Sequence, residues 1–217
     1  MFGLASSRDA GRSHLCTRIR QAPCVRKMSS NVLFAGTRCH NRWMLTVVIL
    51  DVSLSMPMRD NWLAAHGDVL ALVEGLQGPD SSDELKAVIA FSELPRSVDV
   101  AELASMGWDY VYGSNIAAAL HLALAEMDGE PGRVVIFSDM EATAHLADDG
   151  GVIFSFPPSP DTAEKTIQAV GDCLSGGLRL EVRRYRGEAI QNDAVDALMQ
   201  EVIRLGGNVV EVVVPTT

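Results

Sequence analysis

The sequence predicts an α/β fold over residues 44–217, a doubly wound and mostly parallel central sheet flanked by helices. Three observations carry the prediction. Short apolar blocks rich in β-branched residues, Leu45–Leu50 (LTVVIL), Lys86–Phe91 (KAVIAF) and Arg133–Phe137 (RVVIF), lack the polar alternation of a half-exposed strand, as strands covered on both faces do. The segments between them place apolar residues at helical spacing and close on glycine or proline. Strands and helices then alternate at intervals that suit crossover connections and a parallel sheet.

The elements follow in order. Leu45–Leu50 is the first strand. Asn61–Leu76 is a helix, with Leu63, Leu70, Val73 and Leu76 near helical spacing and Gln77-Gly78-Pro79 as its stop. Lys86–Phe91 is the second strand, Arg96–Val100 a short edge strand, and Ala101–Met106 a turn of helix. Asn115–Met127 is a helix with Ile116, Leu120 and Leu124 on one face, and Arg133–Phe137 is again a buried strand. Asp161–Leu174 reads as a helix capped by Asp161, with Glu164 at capping-box spacing and Gly176-Gly177 beyond its end. Leu178–Arg186 alternates apolar and charged residues, as a strand nearer the sheet edge does; Ile190–Leu205 is the last helix and Asn208–Val214 the last strand.

A chain of 217 residues, 47% of them hydrophobic, holds one α/β domain of ordinary size plus an appendage. Its net charge of −10 is unevenly spread. Residues 1–43 carry eight Lys/Arg against Asp9 alone, +7, whereas the remainder carries ten basic and 27 acidic side chains, −17. Such a body is a poor ligand for nucleic acid and a reasonable host for a divalent cation. No apolar run approaches the roughly 18 residues of a membrane span. Cysteines at 16, 24, 39 and 173 show no C-x-x-C; a zinc site with His14 or His40 is weakly signalled, and one cysteine in the body fits a reducing, cytoplasmic setting. The Arg- and Ser-rich stretch 1–43 has three readings: an organelle presequence, a basic arm for an acidic partner, or a poorly ordered segment ahead of the domain. We favour the third, because the folded pattern begins abruptly at Met44.

Three segments fall where loops at the C-terminal edge of the sheet meet, the place where ligands bind in open α/β sheets. They are Asp51-x-Ser53-x-Ser55, Tyr112-Gly113-Ser114-Asn115 and Ser138-Asp139-Met140-Glu141. Three hydroxyls and two carboxylates make a hard, oxygen-only donor set that suits Mg²⁺ or Mn²⁺ with waters filling in. The plain alternative for the first is a polar loop whose serines cap the next helix.

At these residues the chain resembles the von Willebrand factor A (VWA) domain and its metal-ion-dependent adhesion site (MIDAS), which reads D-x-S-x-S, a later Thr and a later Asp. Asp51, Ser53, Ser55 and Asp139 match, and Ser114 stands at the threonine position. The resemblance covers roughly residues 44–217 and implies a Rossmann-like VWA fold. The segments WDYVYGSN (108–115), SDMEATAHL (138–146) and FSFPPSP (154–160) look like a bacterial subgroup of CoxE-like proteins, often associated with MoxR-type AAA+ ATPases. The resemblance implies direct ligation by the serines, a partly water-mediated role for the aspartates, and an open metal position that captures a Glu or Asp of a protein partner. This is recognition, not catalysis. Met140 and Ala142 stand where the subgroup has Gly and Pro, so Met140 is strained if the turn requires positive φ.

Glu141, His145 and Asn115 are further candidates, for a second layer around the ion or for the rim meeting a partner. For His145 a packed loop histidine is the preferred reading, and for Glu141 an exposed acid is an equal one. Trp108, Tyr110 and Tyr112 are read as wedging their loop against the sheet in preference to contacting a partner. His66 and His121 are read as unrelated to the site, Cys173 as a buried small hydrophobe, and the arginines at 179, 183, 184 and 186 as a solvated edge in preference to a docking patch. Two other functions compete. A Mg²⁺-dependent phosphohydrolase of the haloacid-dehalogenase kind needs a general acid two residues after its nucleophile, where this chain has Ser53. A degenerate VWA domain would fold and bind no metal.

Overall fold

The structure, a computed structural model, describes residues 44–187 and 192–215. The expectations for 1–43 and for the first turn of the helix starting at Ile190 lie outside the described residues. Six strands form one sheet in the order β3-β2-β1-β4-β7-β8. They are β1 (Met44–Asp51), β2 (Asp83–Phe91), β3 (Pro95–Val98), β4 (Gly132–Ser138), β7 (Arg179–Gly187) and β8 (Asn208–Val214). All pairings are parallel except β2 with the edge strand β3. The helices are α1 (Ser55–Met58), α2 (Trp62–Gln77), α3 (Val100–Leu103), α4 (Ile116–Met127), α5 (Pro160–Ser175) and α6 (Asp193–Leu205). A small hairpin of β5 (Ala144–Leu146) and β6 (Val152–Phe154) stands apart from the sheet. Among the described residues no helix is long and apolar enough to cross a membrane.

The missing alternation in the strand blocks is explained by two covers. Val47 and Ile49 of β1 face one way, into a core with Ile89, Phe91, Val134 and Ile136 and the helices α4, α5 and α6. Val48 and Leu50 face the other way, with Val88, Val135, Phe137 and Tyr185 under α2 and α3. The chain passes from β1 to its neighbour β2 on one side and from β4 to its neighbour β7 on the other, so strand order reverses between β1 and β4. The crevice at the C-terminal ends of β1 and β4 is thus the switch point of the sheet.

Three local expectations are corrected. The N-cap of α5 is Ser159, whose Oγ accepts the Thr162 N–H at 3.2 Å with Pro160 in the first turn; Asp161 is already inside the helix. Two elements went unforeseen: α1, four residues containing Pro57, too short to show a period, and the β5–β6 hairpin, whose strands have three residues each. The hairpin's Asp148-Asp149-Gly150-Gly151 turn was a usable signal, with Gly150 at φ 84°. The arginine run is a solvated edge only in part: Arg179 is exposed and Arg186 partly so. Arg184 is buried and pairs with Asp196 at 2.5 Å and Glu211 at 3.2 Å, and Arg183 lies 5.1 Å from the Phe137 ring centroid. Cys173 is buried as expected, and burial pushes its thiol up to about 12. His66 meets the Leu103 carbonyl at 2.7 Å, and His121 pairs with Asp172 at 3.4 Å.

Met140 does adopt positive φ, 62°, and its side chain is buried in the core with α4 and α6. Left-handed backbone costs a non-glycine residue about 1–2 kcal/mol, and truncating a buried Met to Ala costs about 2–5 kcal/mol. Met140→Ala keeps the backbone cost and loses the packing, whereas Met140→Gly loses the packing and relieves the backbone. We expect the glycine variant to be the more stable of the two by about 1 kcal/mol in urea unfolding, the reverse of the usual order. Equal or inverted stabilities would show that the turn at Met140 is unstrained.

Candidate metal centre

Asp51 ends β1 with no exposed surface. Its Oδ1 accepts the Ser53 N–H at 2.9 Å, an Asx turn that folds the loop back over the strand end. Its Oδ2 accepts the hydroxyls of Ser114 at 3.0 Å and Ser138 at 2.6 Å, which brings the three loops together on one oxygen. Ser53 and Ser55 place their Oγ atoms 3.0 Å apart. The loops are also strapped by main chain: Leu54 N–H to the Val111 carbonyl at 2.9 Å, and Asp109 N–H to the Val52 carbonyl at 2.6 Å.

Ser114 is fixed despite lacking the threonine methyl. Its N–H donates to Thr143 Oγ1 at 3.0 Å, and its carbonyl accepts the N–H groups of Thr143 and Ala144 at 3.1 and 3.2 Å. A Cβ on the neighbouring Gly113 would lie 2.3 Å from Glu93 Cγ and 3.2 Å from Ala144 Cβ, so the backbone there is packed too closely for a side chain. Asn115 is a helix cap, not a rim residue: its Oδ1 accepts the Ala118 N–H at 3.1 Å and its Nδ2 donates to the Glu93 carbonyl at 3.1 Å.

The third loop brings Asp139 beside Asp51. Asp139 Oδ1 accepts the Glu141 N–H at 3.0 Å, and Ser138 Oγ accepts the Met140 N–H at 2.8 Å. Glu141 is buried, not exposed; it meets Arg59 at 2.5 Å and accepts from Asn192 Nδ2 at 2.5 Å. Arg59 also stands 3.4 Å from Asp139 Oδ2. His145 lies in β5 with its Nδ1 2.8 Å from Thr162 Oγ1, so it packs the hairpin onto α5 and does not reach the rim. Tyr110 and Tyr112 do not wedge their loop: they are 84% and 59% exposed, while Trp108 stands edge-on to Trp62 at 6.0 Å.

Sequence reasoning missed four residues that shape this edge: Arg59, Ser138, Thr143 and Asn192. Arg59 had a signal, since it follows Ser55 by one helical turn. Asn192 had none, because only the fold brings it to Glu141.

The electrostatics leave a deficit of positive charge. Asp51, Asp139 and Glu141 are buried carboxyls, and Arg59 is the cation among them. Burial raises the Asp51 carboxyl above the ordinary range. Burial, and next the charge of Asp51, push Asp139 up to about 6, with Arg59 pulling the other way. Oxygens at adjacent vertices of an octahedron with metal–oxygen bonds of about 2.1 Å are roughly 3.0 Å apart. The spacing of Ser53 to Ser55, and of Ser114 to Asp51, is 3.0 Å. Those separations are equally ordinary hydrogen-bond lengths, so the fit to a small divalent cation rests on the chemistry of the donor set, hard oxygens beside buried carboxylates. Among the described residues no three His, Cys, Asp or Glu side chains form a metal-binding group, so any ion here would rest largely on hydroxyls.

Residues 45–215 match the family model described as Rv0959-like protein, vWA domain. Uncharacterized protein Rv0959 of Mycobacterium tuberculosis H37Rv is 31% identical over 184 residues, 74% of this chain and 27% of the relative. Uncharacterized protein Mb0984 of Mycobacterium bovis gives the same figures. The chain thus spans about a quarter of the length of these curated relatives. Among solved structures, the pilus adhesin SpaC of Lactobacillus rhamnosus GG matches with TM-score 0.58 and 12% identity, over 78% of this chain and 28% of that one. The PilB minor pilin of Streptococcus sanguinis matches with TM-score 0.53 and 12% identity, over 79% and 57%. At such identities the likeness shows the fold alone.

Because Asp139 is held above its ordinary value of 3.8, its ionisation opposes folding. The stability conferred by its protonated form is fully present below the ordinary value and is lost as pH rises through about 6. We expect Asp139→Asn in EDTA to melt above the unsubstituted protein at pH 7.5, with the gap closing as the pH falls towards 4. A gap that stays constant across this range would show that Asp139 is not electrostatically strained.

Proposed function

The chain belongs to the Rv0959-like vWA-domain family, and we propose on that premise that it is a metal-dependent protein-binding module. The observation that carries the reading is the meeting of three loops on Asp51 Oδ2, beside a second buried carboxylate and a pair of serine hydroxyls 3.0 Å apart. In this proposal Asp51, Ser53, Ser55, Ser114 and Asp139 hold Mg²⁺ or Mn²⁺. The ion supplies an open coordination position for a Glu or Asp side chain of a protein partner. Asp51 orients the Ser114 and Ser138 hydroxyls, and Arg59 offsets the charge of Asp139 and Glu141. Three neutral hydroxyls among five ligands leave the ion much of its charge, which favours capture of an anion.

A binding role fits better than a hydrolytic one. Ser53, where a phosphohydrolase of this topology needs its general acid, is a hydroxyl 3.0 Å from Ser55. A finer proposal is an adaptor for a MoxR-type AAA+ ATPase, which rests on the resemblance of segments 108–115, 138–146 and 154–160 to the CoxE-like subgroup. We assign the protein to the cytoplasm, a setting that suits the buried free thiol of Cys173.

A thermal melt of the full chain in EDTA, Mg²⁺ and Mn²⁺ tests the site. Metal is expected to raise the midpoint by several degrees, as saturating a site at about 100 times its Kd adds roughly 2.7 kcal/mol. Asp51→Ala and Asp139→Ala should each abolish the response. A folded protein whose melting is indifferent to both ions would support the degenerate-domain reading.

A further inference from the structure

Large apolar side chains stand exposed beside the candidate centre. Met58 is 66% exposed, Phe154 47% and Phe156 69%, and with Tyr112 they wall a groove of about 370 Å³ whose floor reaches Ser55 and Glu141. Ser55 thus belongs both to the proposed ligand set and to the groove, so the two are continuous. The groove lies at the lower end of the usual range of ligand pockets, about 300–1,000 Å³, enough for a large side chain. Contiguous exposed apolar surface next to a polar site marks an interaction surface more often than a solvated one.

We propose that the partner segment carries a bulky apolar residue next to its metal-seeking carboxylate, and that this neighbour seats in the groove of Met58, Tyr112, Phe154 and Phe156. The proposal rests on the reading of the site as a metal-dependent receptor for an acid, and it specifies the class of sequence recognised. Charge selects this occupant. The body of the chain is strongly acidic, −17 outside residues 1–43, and repels acidic segments in general. At the groove the acids are buried and paired: Glu141 meets Arg59 at 2.5 Å and Asn192 at 2.5 Å, and Asp139 faces Arg59 at 3.4 Å. What the groove presents to a ligand is apolar wall plus the partly exposed Arg59 guanidinium. A carboxylate carried beside an aromatic or large aliphatic side chain matches both, whereas a run of acids matches the guanidinium alone and leaves the apolar wall uncovered.

The test is a random-peptide phage library panned on the full chain in Mg²⁺ and in EDTA, with the metal-induced melting shift measured on the same protein. The expected result is enrichment in Mg²⁺ alone of peptides with Asp or Glu next to Phe, Trp, Leu, Ile or Met. A synthetic peptide of that kind should bind about tenfold or more weakly to the Phe154→Ser/Phe156→Ser protein, and separately to Tyr112→Ser, as loss of an interface aromatic does. Both variants should keep the metal-induced shift. Enrichment of acids without apolar neighbours, no enrichment at all, or affinity untouched by the substitutions would each overturn the proposal while the metal response stood. Mg²⁺-dependent self-association lost in the Phe154→Ser/Phe156→Ser protein would assign the groove to a second copy and overturn it too. An absent melting shift would instead sink the metal reading beneath it.

Discussion

A carboxylate with no exposed surface at the end of the central strand is the constraint on which this edge of the protein depends. Asp51 is buried between β2 and β4, and an ionised carboxylate in such a place is costly unless its lone pairs are occupied. Two hydroxyls and one backbone N–H occupy them, from three loops that are far apart in sequence. Satisfying one side chain thus fixes the conformation of Ser53, Ser114 and Ser138 together. Hydrogen bonds alone do not remove the repulsion between Asp51 and Asp139, and Arg59 removes it only in part. The remaining deficit is what the proposed divalent cation would relieve.

The helices and strands that build this edge were legible because each obeys a local rule. Apolar blocks without alternation meant strands covered on both faces, and Val47 to Leu50 are buried in two cores on opposite sides. The alternation in Leu178–Arg186 meant a strand near an edge, and β7 lies one place in from β8. Asp51, Ser53, Ser55, Ser114 and Asp139 could be assembled from position alone, since each follows or precedes an element at the end of the sheet where ligands bind. The partners of these residues were not legible. Whether Glu141 points outward or inward depends on Arg59 and Asn192, 82 and 51 residues away in the chain. Long-range pairings of single polar side chains leave no period and no composition bias to read. The exposed Tyr110 and Tyr112 were misjudged for a related reason: apolar residues in a loop suggest burial, and only the fold reveals that no described residue covers them.

Met140 illustrates how the site conflicts with local preference. Its turn bends so that the Met140 N–H reaches Ser138 Oγ, the hydroxyl that also serves Asp51, and the bend requires left-handed backbone. The side chain compensates by packing into the larger core with α4 and α6. A residue in an unfavourable conformation persists where its surroundings over-determine it, and such places cluster at functional sites.

The β5–β6 hairpin has a consequence of another kind. It carries Phe154 and leads into Phe156, yet among the described residues its strands pair only with each other. Its hydrogen bonds to the rest come mainly from its first strand: Ala144 N–H to the Ser114 carbonyl, His145 against Thr162, and the Leu146 carbonyl accepting from Lys165. The apolar wall can therefore be exchanged without rebuilding the cage around Asp51, because no side chain of the hairpin strands hydrogen-bonds that carboxylate. If the proposed ion site holds, divergent descendants of such a domain could keep one ion chemistry and trade ligands by rewriting the hairpin alone. For the same reason the hairpin is a natural cassette for randomisation, a place to vary one face of the scaffold while its buried edge stays as it is.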